Sequence, residues 1–435
     1  MTRLLYSFVM WLVQPWVHRK LARRGVAETG YLEAVPERFG YYTLAPLAMP
    51  SNIIWVHAVS LGETRAAAVL VARLRQQLPG MRLLLTHGTA TGRAEGAQLL
   101  RPGDLQVWQP WDTAGAVRRF LTHFRPRIGI LMETEVWPNL VATCAQMQLP
   151  LVLTNARMSE KSARKARLLD WLSRPALGAL TAVWAQTEAD AARLTQLGAR
   201  GVCVFGNLKF DATPDAEQLA TGRAWRATFG RPVVLFASSR AGEEQALLNL
   251  LATRRLSDAP GEGVQWLIVP RHPQRFDEVV ALIESRGFVV SRRSSWGAQA
   301  PGGDGSAGTI WLGDSLGEMA LYYGLADAAL LGGSFEPLGG QNLIEAAACA
   351  CPVLMGPNTF NFADAAELAE GAGAALRLPG LAQAVTAARI LVADAPAQRA
   401  MAAAACSFAA QHRGAVDKTV AAVLALLEQQ HVDAL

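Results

Sequence analysis

The chain has 435 residues, of which 51% are hydrophobic and 18% charged, and its formal net charge is +5. Two domains are expected because this length exceeds what one hydrophobic core usually supports, and the composition excludes an intrinsically disordered protein. The small net charge gives no reason to expect a nucleic-acid partner. Cys349 and Cys351 do not form a C-x-x-C pair and no histidine lies nearby, so the cysteines indicate buried thiols and no metal site.

Residues 1–25 combine an apolar segment with a basic one. Residues 4–13 are apolar apart from Ser7, and aromatic side chains in this segment precede a cationic cluster. Gln14 and Pro15 interrupt the segment and no small-residue cleavage site follows, which argues against a signal peptide. Ten to fourteen helical residues span only about half of a roughly 30 Å hydrocarbon core, so we predict a helix that lies in, or dips into, the cytoplasmic leaflet. The alternative is a first helix packed on its own domain.

From residue 52 onward, short apolar runs alternate with helical patterns. The runs are IIWVHAVS, LLLTHG, IGILMETE, LVLTNARMS, AVWAQTEAD and VCVFGNLK, and then VVLFASS, QWLIVPRHP, FVVSRR, TIWLGD, DAALLGG and PVLMGP. Apolar strands that alternate with helices predict parallel sheets covered on both faces. A break near residues 211–231 separates the two sets. We therefore predict an α/β protein with two doubly wound parallel-sheet (Rossmann-like) domains, residues 26–213 and 214–435, facing each other across a cleft. A surface loop is expected over residues 294–308.

Polar side chains follow eight of the predicted strands, where ligands bind in such sheets. In the first half these residues are Ser60, Gly62 and Glu63, Glu133 to Glu135, Asn155 and Arg157, and Asn207 and Lys209; in the second half they are Ser238 and Ser239, Arg271 and His272, Asp314, and Ser334. Because carboxyl ends of parallel strands meet at one sheet edge, each domain is expected to carry a polar binding edge.

The segment GGSFEPLGGQNLIEAAACACPVLMGP, residues 332–357, predicts a buried strand, a glycine-rich loop, a helix beginning at Gln341 and Asn342, and a second buried strand. Backbone N–H groups at a helix N-terminus bind anions, and Glu345, one turn into the helix, can accept hydrogen bonds from sugar hydroxyls. The segment therefore indicates a nucleotide-sugar site in the second half of the chain.

Eight strings resemble, in the same order, the Kdo transferases of lipopolysaccharide biosynthesis. They are HAVSLGET, METEVWPNL, NARMSEKS, GNLKFD, VPRHPQRF, LGDSLGEM, GGSFEPLGGQNLIEAAA and MGPNTFNF. The resemblance implies a two-domain GT-B glycosyltransferase that is inverting, independent of metal and without a cofactor. It further implies transfer of 3-deoxy-D-manno-octulosonic acid (Kdo) from CMP-Kdo to the 6′-hydroxyl of a lipid A precursor, at the cytoplasmic face of the inner membrane.

Glu63, in SLGE, matches the position of the family's catalytic base. An inverting transfer needs one carboxylate to take the proton of the acceptor hydroxyl as that hydroxyl attacks the anomeric carbon. The alternative is an acidic residue that stabilises a helix N-terminus by a few tenths to about 1 kcal/mol.

Glu133 and Lys209 match positions that the family uses to stabilise the transition state. A lysine at a strand end can neutralise the departing phosphate or the Kdo carboxylate. Alternatively, the two side chains pair with each other or with Arg157 as structural ions, and Glu135 competes with Glu133 for the same role.

The resemblance assigns CMP binding to three strings of the second half. They supply Pro270 and Arg271 from VPRHP, Leu316, Gly317 and Glu318 from LGDSLGE, and Asn342, Leu343, Ile344 and Glu345 from QNLIE. Arg271 can donate charge-assisted hydrogen bonds to phosphate, Gly317 allows backbone to approach the base, and Glu345 is expected on the ribose hydroxyls. His272 is expected to be structural or phosphate-binding.

Three departures from the family pattern stand out. GERxG appears as PERFG with Pro36, the string at residues 238–244 lacks the usual histidine, and Gln341 replaces another histidine. Arg38 of PERFG and the basic residues 19–24 are candidates for acceptor phosphates or a solvated basic face.

Three alternatives to a Kdo transferase remain at this point. Another GT-B enzyme, such as a different nucleotide-sugar transferase or a nucleotide-sugar 2-epimerase, is the first, and a non-catalytic membrane-bound scaffold is the second. A Rossmann dehydrogenase is disfavoured because HAVSLGET, and no G-x-G-x-x-G, follows the first strand.

Overall fold

The computed structural model describes residues 2–44, 52–255, 263–297, 299–301 and 308–433. The chain divides into two compact units, Met1–Ala212 with Arg413–Leu435, and Thr213–His412. Of the surface loop expected over residues 294–308, residues 298 and 302–307 lie outside the described part of the chain.

The first unit contains a seven-stranded parallel sheet. Its strands are β1 (Ile53–His57), β2 (Arg82–His87), β3 (Leu105–Trp108), β4 (Ile128–Met132), β5 (Leu151–Ala156), β6 (Ala182–Ala185) and β7 (Val202–Val204), in the order 3-2-1-4-5-6-7. The chain adds strands on one side of β1 and then returns to place β4 on the other. The loops after β1 and β4 therefore flank the topological switch point, where doubly wound sheets bind ligands.

Helices cover both faces of this sheet. They are α1 (Thr2–Leu12), α2 (Gln14–Ala27), α3 (Leu61–Gln77), α4 (Ala90–Ala97), α5 (Ala114–Phe124), α6 (Pro138–Gln146), α7 (Glu160–Leu168), α8 (Asp170–Gly178) and α9 (Glu188–Gln196), with short 3-10 helices at Thr29–Leu32, Val35–Phe39 and Leu208–Asp211. Successive side chains of β1 enter opposite cores. Ile53 and Trp55 pack with α5, whereas Ile54 and Val56 pack with α3.

The second unit contains another seven-stranded parallel sheet. Its strands are β8 (Val233–Ser239), β9 (Gln265–Pro270), β10 (Val289–Arg292), β11 (Thr309–Leu312), β12 (Ala328–Leu331), β13 (Val353–Met355) and β14 (Ala375–Arg377), in the order 10-11-9-8-12-13-14. Its helices are α10 (Ala216–Thr228), α11 (Glu243–Arg255), α12 (Phe276–Ser285), α13 (Met319–Leu325), α14 (Leu343–Ala348), α15 (Ala363–Gly371), α16 (Leu381–Ala393) and α17 (Ala395–Gln411), with 3-10 helices at Pro273–Arg275 and Arg293–Ser295. Here the switch point lies between β8 and β12.

The last helix, α18 (Ala415–Asp433), belongs to the first unit. The sequence placed residues 214–435 in the second domain, and this placement is wrong for the C-terminal helix. Val420 and Val423 of α18 join the apolar core beneath α3. Asp211 fixes the start of α18, because its carboxylate accepts hydrogen bonds from the N–H groups of Gly414 (2.5 Å) and Val416 (2.7 Å). Contacts between residues so far apart in the sequence cannot be predicted from local periodicity.

The prediction of two doubly wound parallel sheets is confirmed. Strands β3 and β14 were not predicted. Gln106 interrupts the apolar side chains of β3, and β14 has an exposed Leu376 followed by Arg377, so neither makes a continuous apolar run.

Helix α1 is attached to the first unit through one face only. The Tyr6 hydroxyl donates to Asp112 Oδ2 (2.9 Å) and the Ser7 hydroxyl donates to Asn139 Oδ1 (2.9 Å). The opposite face leaves large apolar side chains in solvent, among them Leu4, Leu5, Phe8, Trp11 and Leu12. Nowhere in the described ranges is a helix long and apolar enough to cross a bilayer.

Candidate active site

The loop after β1 holds Glu63 in a capping arrangement. Ser60 is the N-cap of α3, and its hydroxyl oxygen accepts a hydrogen bond from Glu63 N–H (3.4 Å). In return the Glu63 carboxylate accepts from the Ser60 hydroxyl (2.9 Å) and from Val59 N–H (2.9 Å). This S-x-x-E arrangement satisfies helix-terminal donors, so the helix-stabilising alternative for Glu63 is a real part of its environment.

The electrostatic surroundings of Glu63 favour proton acceptance. Burial raises the pKa of its carboxyl, and the nearby charges of Glu133 and Glu135 raise it further, against the two hydrogen bonds that lower it. Among the residues that the structure describes, no cation forms an ion pair with Glu63. Glu63 is therefore a half-buried carboxylate with a raised pKa, as a general base working near neutral pH requires.

Glu133 and Lys209 form an ion pair, with Lys209 Nζ 3.2 Å from Glu133 Oε1. Glu133 directly follows β4 and has a positive φ of 57°, a strained conformation for a residue with a side chain. Its backbone is held by β5, because its N–H donates to Thr154 O (3.0 Å). The structure thus brings the two predicted transition-state residues together. The same contact was expected if Glu133 and Lys209 form a structural ion pair.

Asparagine side chains position Lys209. Asn155, at the end of β5, accepts a hydrogen bond from Leu208 N–H (3.0 Å), and Asn207 accepts one from Lys209 N–H (3.0 Å). Asn155 is buried and has a φ of 51°. Asn155 therefore fixes the 3-10 turn that carries Lys209 to the end of β5, and Asn207 caps the same turn.

His57 is a site residue that sequence reasoning missed. It ends β1 and is buried, its Nδ1 lies 2.9 Å from the Thr86 hydroxyl, and its Nε2 lies 3.9 Å from Glu135 Oε2. Burial alone would raise the pKa of Glu135, but the His57 ring and a hydrogen bond from Trp137 Nε1 (2.8 Å) hold it below its ordinary value. Glu135 is therefore held as a charged group by His57 and Trp137, whereas Glu133 pairs with Lys209. The sequence feature that could have identified His57 is a histidine at the end of the apolar run IIWVH.

In the second unit, the glycine-rich loop surrounds a protein carboxylate. Glu243, at the start of α11, is buried and accepts hydrogen bonds from Gly333 N–H (2.8 and 2.9 Å) and Arg240 N–H (2.9 Å). Burial is the main cause of its raised pKa. Gly332 is required here, because a Cβ atom would lie 2.3 Å from Ser238 O. The Gly333 amide, at the start of the loop, therefore binds a carboxylate of the protein itself, and the anion site predicted at the start of the helix is not affected.

The predicted CMP-binding residues differ in what they can offer a ligand. Leu343 and Ile344 are buried in the core, so only their backbone groups are available. Asn342 caps α14 by accepting from Ile344 N–H (3.2 Å), and Glu345 is half-buried one turn into this six-residue helix.

Leu316, Gly317 and Glu318 lie in the turn before α13. Leu316 is exposed, Gly317 has a φ of 75°, and Glu318 forms an ion pair with Arg293 (2.8 Å). The exposed apolar side chain of Leu316 beside Gly317 leaves this turn accessible to a planar base. The Glu318 carboxylate, in contrast, is already paired with Arg293.

Arg271 and His272 follow Pro270 at the end of β9 in a cationic environment. Burial lowers the pKa of His272, and the charges of Arg240, Arg271 and Arg275 lower it further. Arg275 is bound by Glu244, with N–O distances of 2.8 and 3.3 Å. A neutral histidine next to Arg240 and Arg271 suits a phosphate site.

No cluster of three or more His, Cys, Asp or Glu side chains suited to a metal ion occurs in the described ranges.

Residues 33–212 match the family described as 3-deoxy-D-manno-octulosonic-acid transferase (kdotransferase). The chain is 45% identical over 423 residues to the 3-deoxy-D-manno-octulosonic acid transferase of Bordetella pertussis, covering 95% of each chain. The chain belongs to the Kdo transferase family. The Kdo transferase of Haemophilus influenzae is 31% identical over 366 residues, covering 83% of this chain and 84% of the relative.

Solved structures of low identity share the fold of this Kdo transferase. A glycosyltransferase from Rickettsia africae is 14% identical and covers 87% of this chain and 98% of its own, with a TM-score of 0.54. The UDP-GlcNAc 2-epimerase of Neisseria meningitidis is 14% identical and covers 86% and 99%, with a TM-score of 0.55. These similarities confirm the GT-B architecture. The sequence relatives, and not the fold, decide between a Kdo transferase and an epimerase.

Proposed function

We propose that this glycosyltransferase moves Kdo from CMP-Kdo to the 6′-hydroxyl of a lipid A precursor in lipopolysaccharide biosynthesis, with inversion at the anomeric carbon and Glu63 as general base. The observation that carries the mechanism is the half-buried Glu63 carboxylate, which has a raised pKa and no cationic partner among the described residues. A surface acid that only stabilised a helix terminus would not need to be desolvated.

The donor is assigned to the second unit. Arg271 and the neutral His272 provide hydrogen-bond donors for the phosphate of CMP, and Asn342 and Glu345 lie at the start of α14, where sugar hydroxyls would find an acceptor. The exposed turn at Gly317 offers backbone groups to the base edge.

The transfer itself needs one proton acceptor. As the acceptor hydroxyl attacks the anomeric carbon of Kdo, its proton passes to a Glu63 carboxylate oxygen, and the bond from that carbon to the CMP phosphate oxygen breaks with its electron pair. CMP leaves as the monophosphate, and attack from the opposite face inverts the anomeric centre. The Val59 N–H and Ser60 hydroxyl that hold the Glu63 carboxylate fix its direction during this step.

Lys209 supports the same step by its positive charge. In a desolvated site a lysine ammonium stabilises a developing phosphate or the Kdo carboxylate more strongly than it would in water. The Glu133 carboxylate, 3.2 Å from Lys209 Nζ, orients the lysine side chain in the resting enzyme. Because a nucleoside monophosphate leaving group can be neutralised by Lys and Arg, we expect transfer to proceed at an undiminished rate in EDTA.

The lipid acceptor requires access to a membrane, and α1 supplies a suitable surface. Phe8 and Trp11 are 56% and 61% exposed, on a helix that packs against α6 and α8. Exposed apolar side chains continue into α7 and α8 with Leu168 and Trp171. The surrounding exposed cations are Arg3, Arg19, Lys20 and Arg23 in α1 and α2, and Lys161, Arg164, Lys165 and Arg167 in α7. Aromatic side chains flanked by cations suit the anionic cytoplasmic face of the inner membrane.

Vesicle sedimentation tests this surface. The double variant Phe8→Ser, Trp11→Ser is expected to partition several-fold less into phosphatidylglycerol-containing vesicles, because it removes the largest exposed side chains of α1. Ile390→Ser, equally exposed at 66% on α16 of the other unit, is the matched control and should bind like the parent protein. Equal partitioning of all three proteins would refute the membrane surface.

Product analysis tests the reaction. Incubation with CMP-Kdo and a tetra-acylated, bis-phosphorylated glucosamine disaccharide should give a product heavier by whole Kdo units, with the new linkage at O6′ and an inverted anomeric centre by NMR. UDP-GlcNAc in place of CMP-Kdo should give none. Transfer from the UDP-sugar, or a product with retained configuration, would refute the proposal.

A further inference from the structure

A cluster of three arginines surrounds Trp108 and Tyr31 in the first unit. The Arg38 guanidinium stacks on the Trp108 ring with its Cζ 3.8 Å from the ring centroid, and Arg93 lies 4.8 Å from the same centroid. Arg24 of α2 lies 5.5 Å from the Tyr31 ring centroid. Three positive charges lie close together here on two aromatic faces, so a negative charge is needed to offset their mutual repulsion.

The nearby carboxylate does not neutralise this cluster. Glu37 accepts hydrogen bonds from Arg93 (3.0 Å) and from Trp108 N–H (2.9 Å), so it serves Arg93 and the strand. Besides burial, electrostatic interactions with Tyr31 and Glu37 raise the pKa of Arg38, and those with Arg93 and Arg24 lower it. Among these neighbours, three guanidinium groups face the one carboxylate of Glu37.

Arg38 itself is poorly satisfied. Its Nε is buried and has no hydrogen-bond partner among the residues that the structure describes, and its Nη2 reaches Gly88 O at a long 3.4 Å. Burial lowers the pKa of Arg38 to about 10, and the charges of Arg93 and Arg24 contribute to this shift. A half-buried guanidinium with an unused donor is costly to keep, which favours a ligand that supplies further acceptors.

The position of the cluster connects it to the proposed base. Arg38 contacts the loop after β2, where Gly88 N–H (3.3 Å) and Thr89 N–H (3.1 Å) both donate to Val59 O. Val59 in turn donates its own N–H to Glu63 (2.9 Å). Arg38 and the proposed proton acceptor therefore contact the same pair of adjoining loops.

We propose that Arg38, with Arg93 and Arg24, forms a subsite for a phosphomonoester of the acceptor sugar. This inference rests on the proposed function, because the phosphate is one carried by the substrate that receives Kdo. A phosphomonoester dianion supplies several acceptor oxygens for the planar guanidinium donors and balances the excess charge. The subsite would hold the acceptor by a group that does not react, while its hydroxyl is presented to Glu63.

Binding to the full-length protein without donor tests the subsite independently of turnover. Two water-soluble glucosamine disaccharides are compared by calorimetry, one with its phosphomonoesters and one dephosphorylated. The parent protein should bind the phosphorylated sugar at least about 10-fold more tightly, which corresponds to about 1.4 kcal/mol. In Arg38→Met this ratio should fall to within about twofold of unity, and Arg38→Lys should lie between them because it keeps the charge but loses the planar fork.

Arg119→Met is the matched control. Arg119 also stacks on an aromatic ring, at 4.4 Å from the Tyr41 centroid, and donates to a backbone carbonyl, but it lies outside the cluster. This variant should keep the parent ratio. Arg38→Met should unfold at the parent temperature or above, since methionine packs on Trp108 without a buried charge. An unchanged ratio in Arg38→Met, or an equal loss for both sugars, would overturn the subsite.

Two further arms identify the source of the phosphate. Inorganic phosphate should compete with the phosphorylated disaccharide for the parent protein and not for Arg38→Met. Phosphatidylglycerol vesicles should bind both proteins alike, and a loss of vesicle binding alone would overturn the assignment to the acceptor sugar. A protein that transfers Kdo but binds both disaccharides equally refutes only the subsite. A protein with the expected ratio but no transfer refutes only the proposed function.

Discussion

Replacing Glu63 with glutamine separates its two roles. The side chain both accepts two capping hydrogen bonds and, in the proposed mechanism, takes the acceptor proton. Glutamine has nearly the same shape, and its carbonyl oxygen can keep the bond from Val59 N–H, but the amide cannot accept a proton at the working pH. Alanine at the same position removes both roles together.

The two roles differ in the size of their expected effects. General base catalysis contributes about 10²- to 10⁴-fold, which is about 2.7–5.4 kcal/mol of activation free energy. Loss of one hydrogen bond to a charged group costs about 1.5–3 kcal/mol, but removing a desolvated carboxylate offsets much of it. Glu63→Gln should therefore lose at least about 100-fold in kcat while its free energy of unfolding changes by less than about 1 kcal/mol. Glu63→Ala should lose a further 0.5–2 kcal/mol of stability, roughly the value of a helix cap.

The assay measures CMP release at saturating CMP-Kdo and acceptor, with CMP affinity by calorimetry and unfolding by denaturant titration. We expect Glu63→Gln to bind CMP like the parent protein, because Glu63 lies in the first unit and the proposed CMP-binding residues lie in the second. A kcat within about threefold of the parent value, far from the 100-fold expected for a base, would refute the reasoning and leave Glu63 as a helix cap.

Lys209→Met should lower kcat by about 10²- to 10³-fold, the effect of losing one transition-state donor, while its CMP affinity stays unchanged. Steady-state kinetics and CMP calorimetry measure the two quantities, and a purely structural role for Lys209 would lower both kcat and CMP affinity. Glu243→Ala should destabilise the second unit by about 2–4 kcal/mol, because it leaves the buried N–H groups of Gly333 and Arg240 unsatisfied, as denaturant titration can measure. Asp211→Ala should cost about 1–2 kcal/mol by exposing the uncapped start of α18, and thermal unfolding equal to that of the parent would contradict this.

The sequence was sufficient where local pattern determines structure. Apolar runs such as IIWVH and LLLTH lie in buried parallel strands, and Glu63 stands in the first turn of a helix, as one interpretation of its sequence expected. Glu133 and Lys209 were expected after two different strands, and the sequence left open whether they pair with each other; the structure shows that they do.

Contacts between distant residues were beyond the sequence. The return of α18 to the first unit depends on Asp211 and on packing against α3, about 350 residues earlier in the chain than α18. Glu243 binds an amide 90 residues away, and Arg38 stacks on Trp108 only because a strand end brings them together. Such pairings follow from topology, which periodicity along one segment does not encode.

The pH dependence of kcat/KM tests most directly the claim that Glu63 accepts the proton. Activity should fall on the acid side with a pKa above the ordinary glutamate value of about 4.3, since burial and Glu133 raise that of Glu63. Glu133→Gln removes the neighbouring negative charge, so its acid limb should move to lower pH. Ser60→Ala removes a hydrogen bond that stabilises the carboxylate, so its limb should move to higher pH. Because the substrates are the same in all three profiles, their own ionisation cancels in the comparison. Opposite shifts in the two variants are the result that our account predicts, and acid limbs that coincide in all three proteins would contradict it.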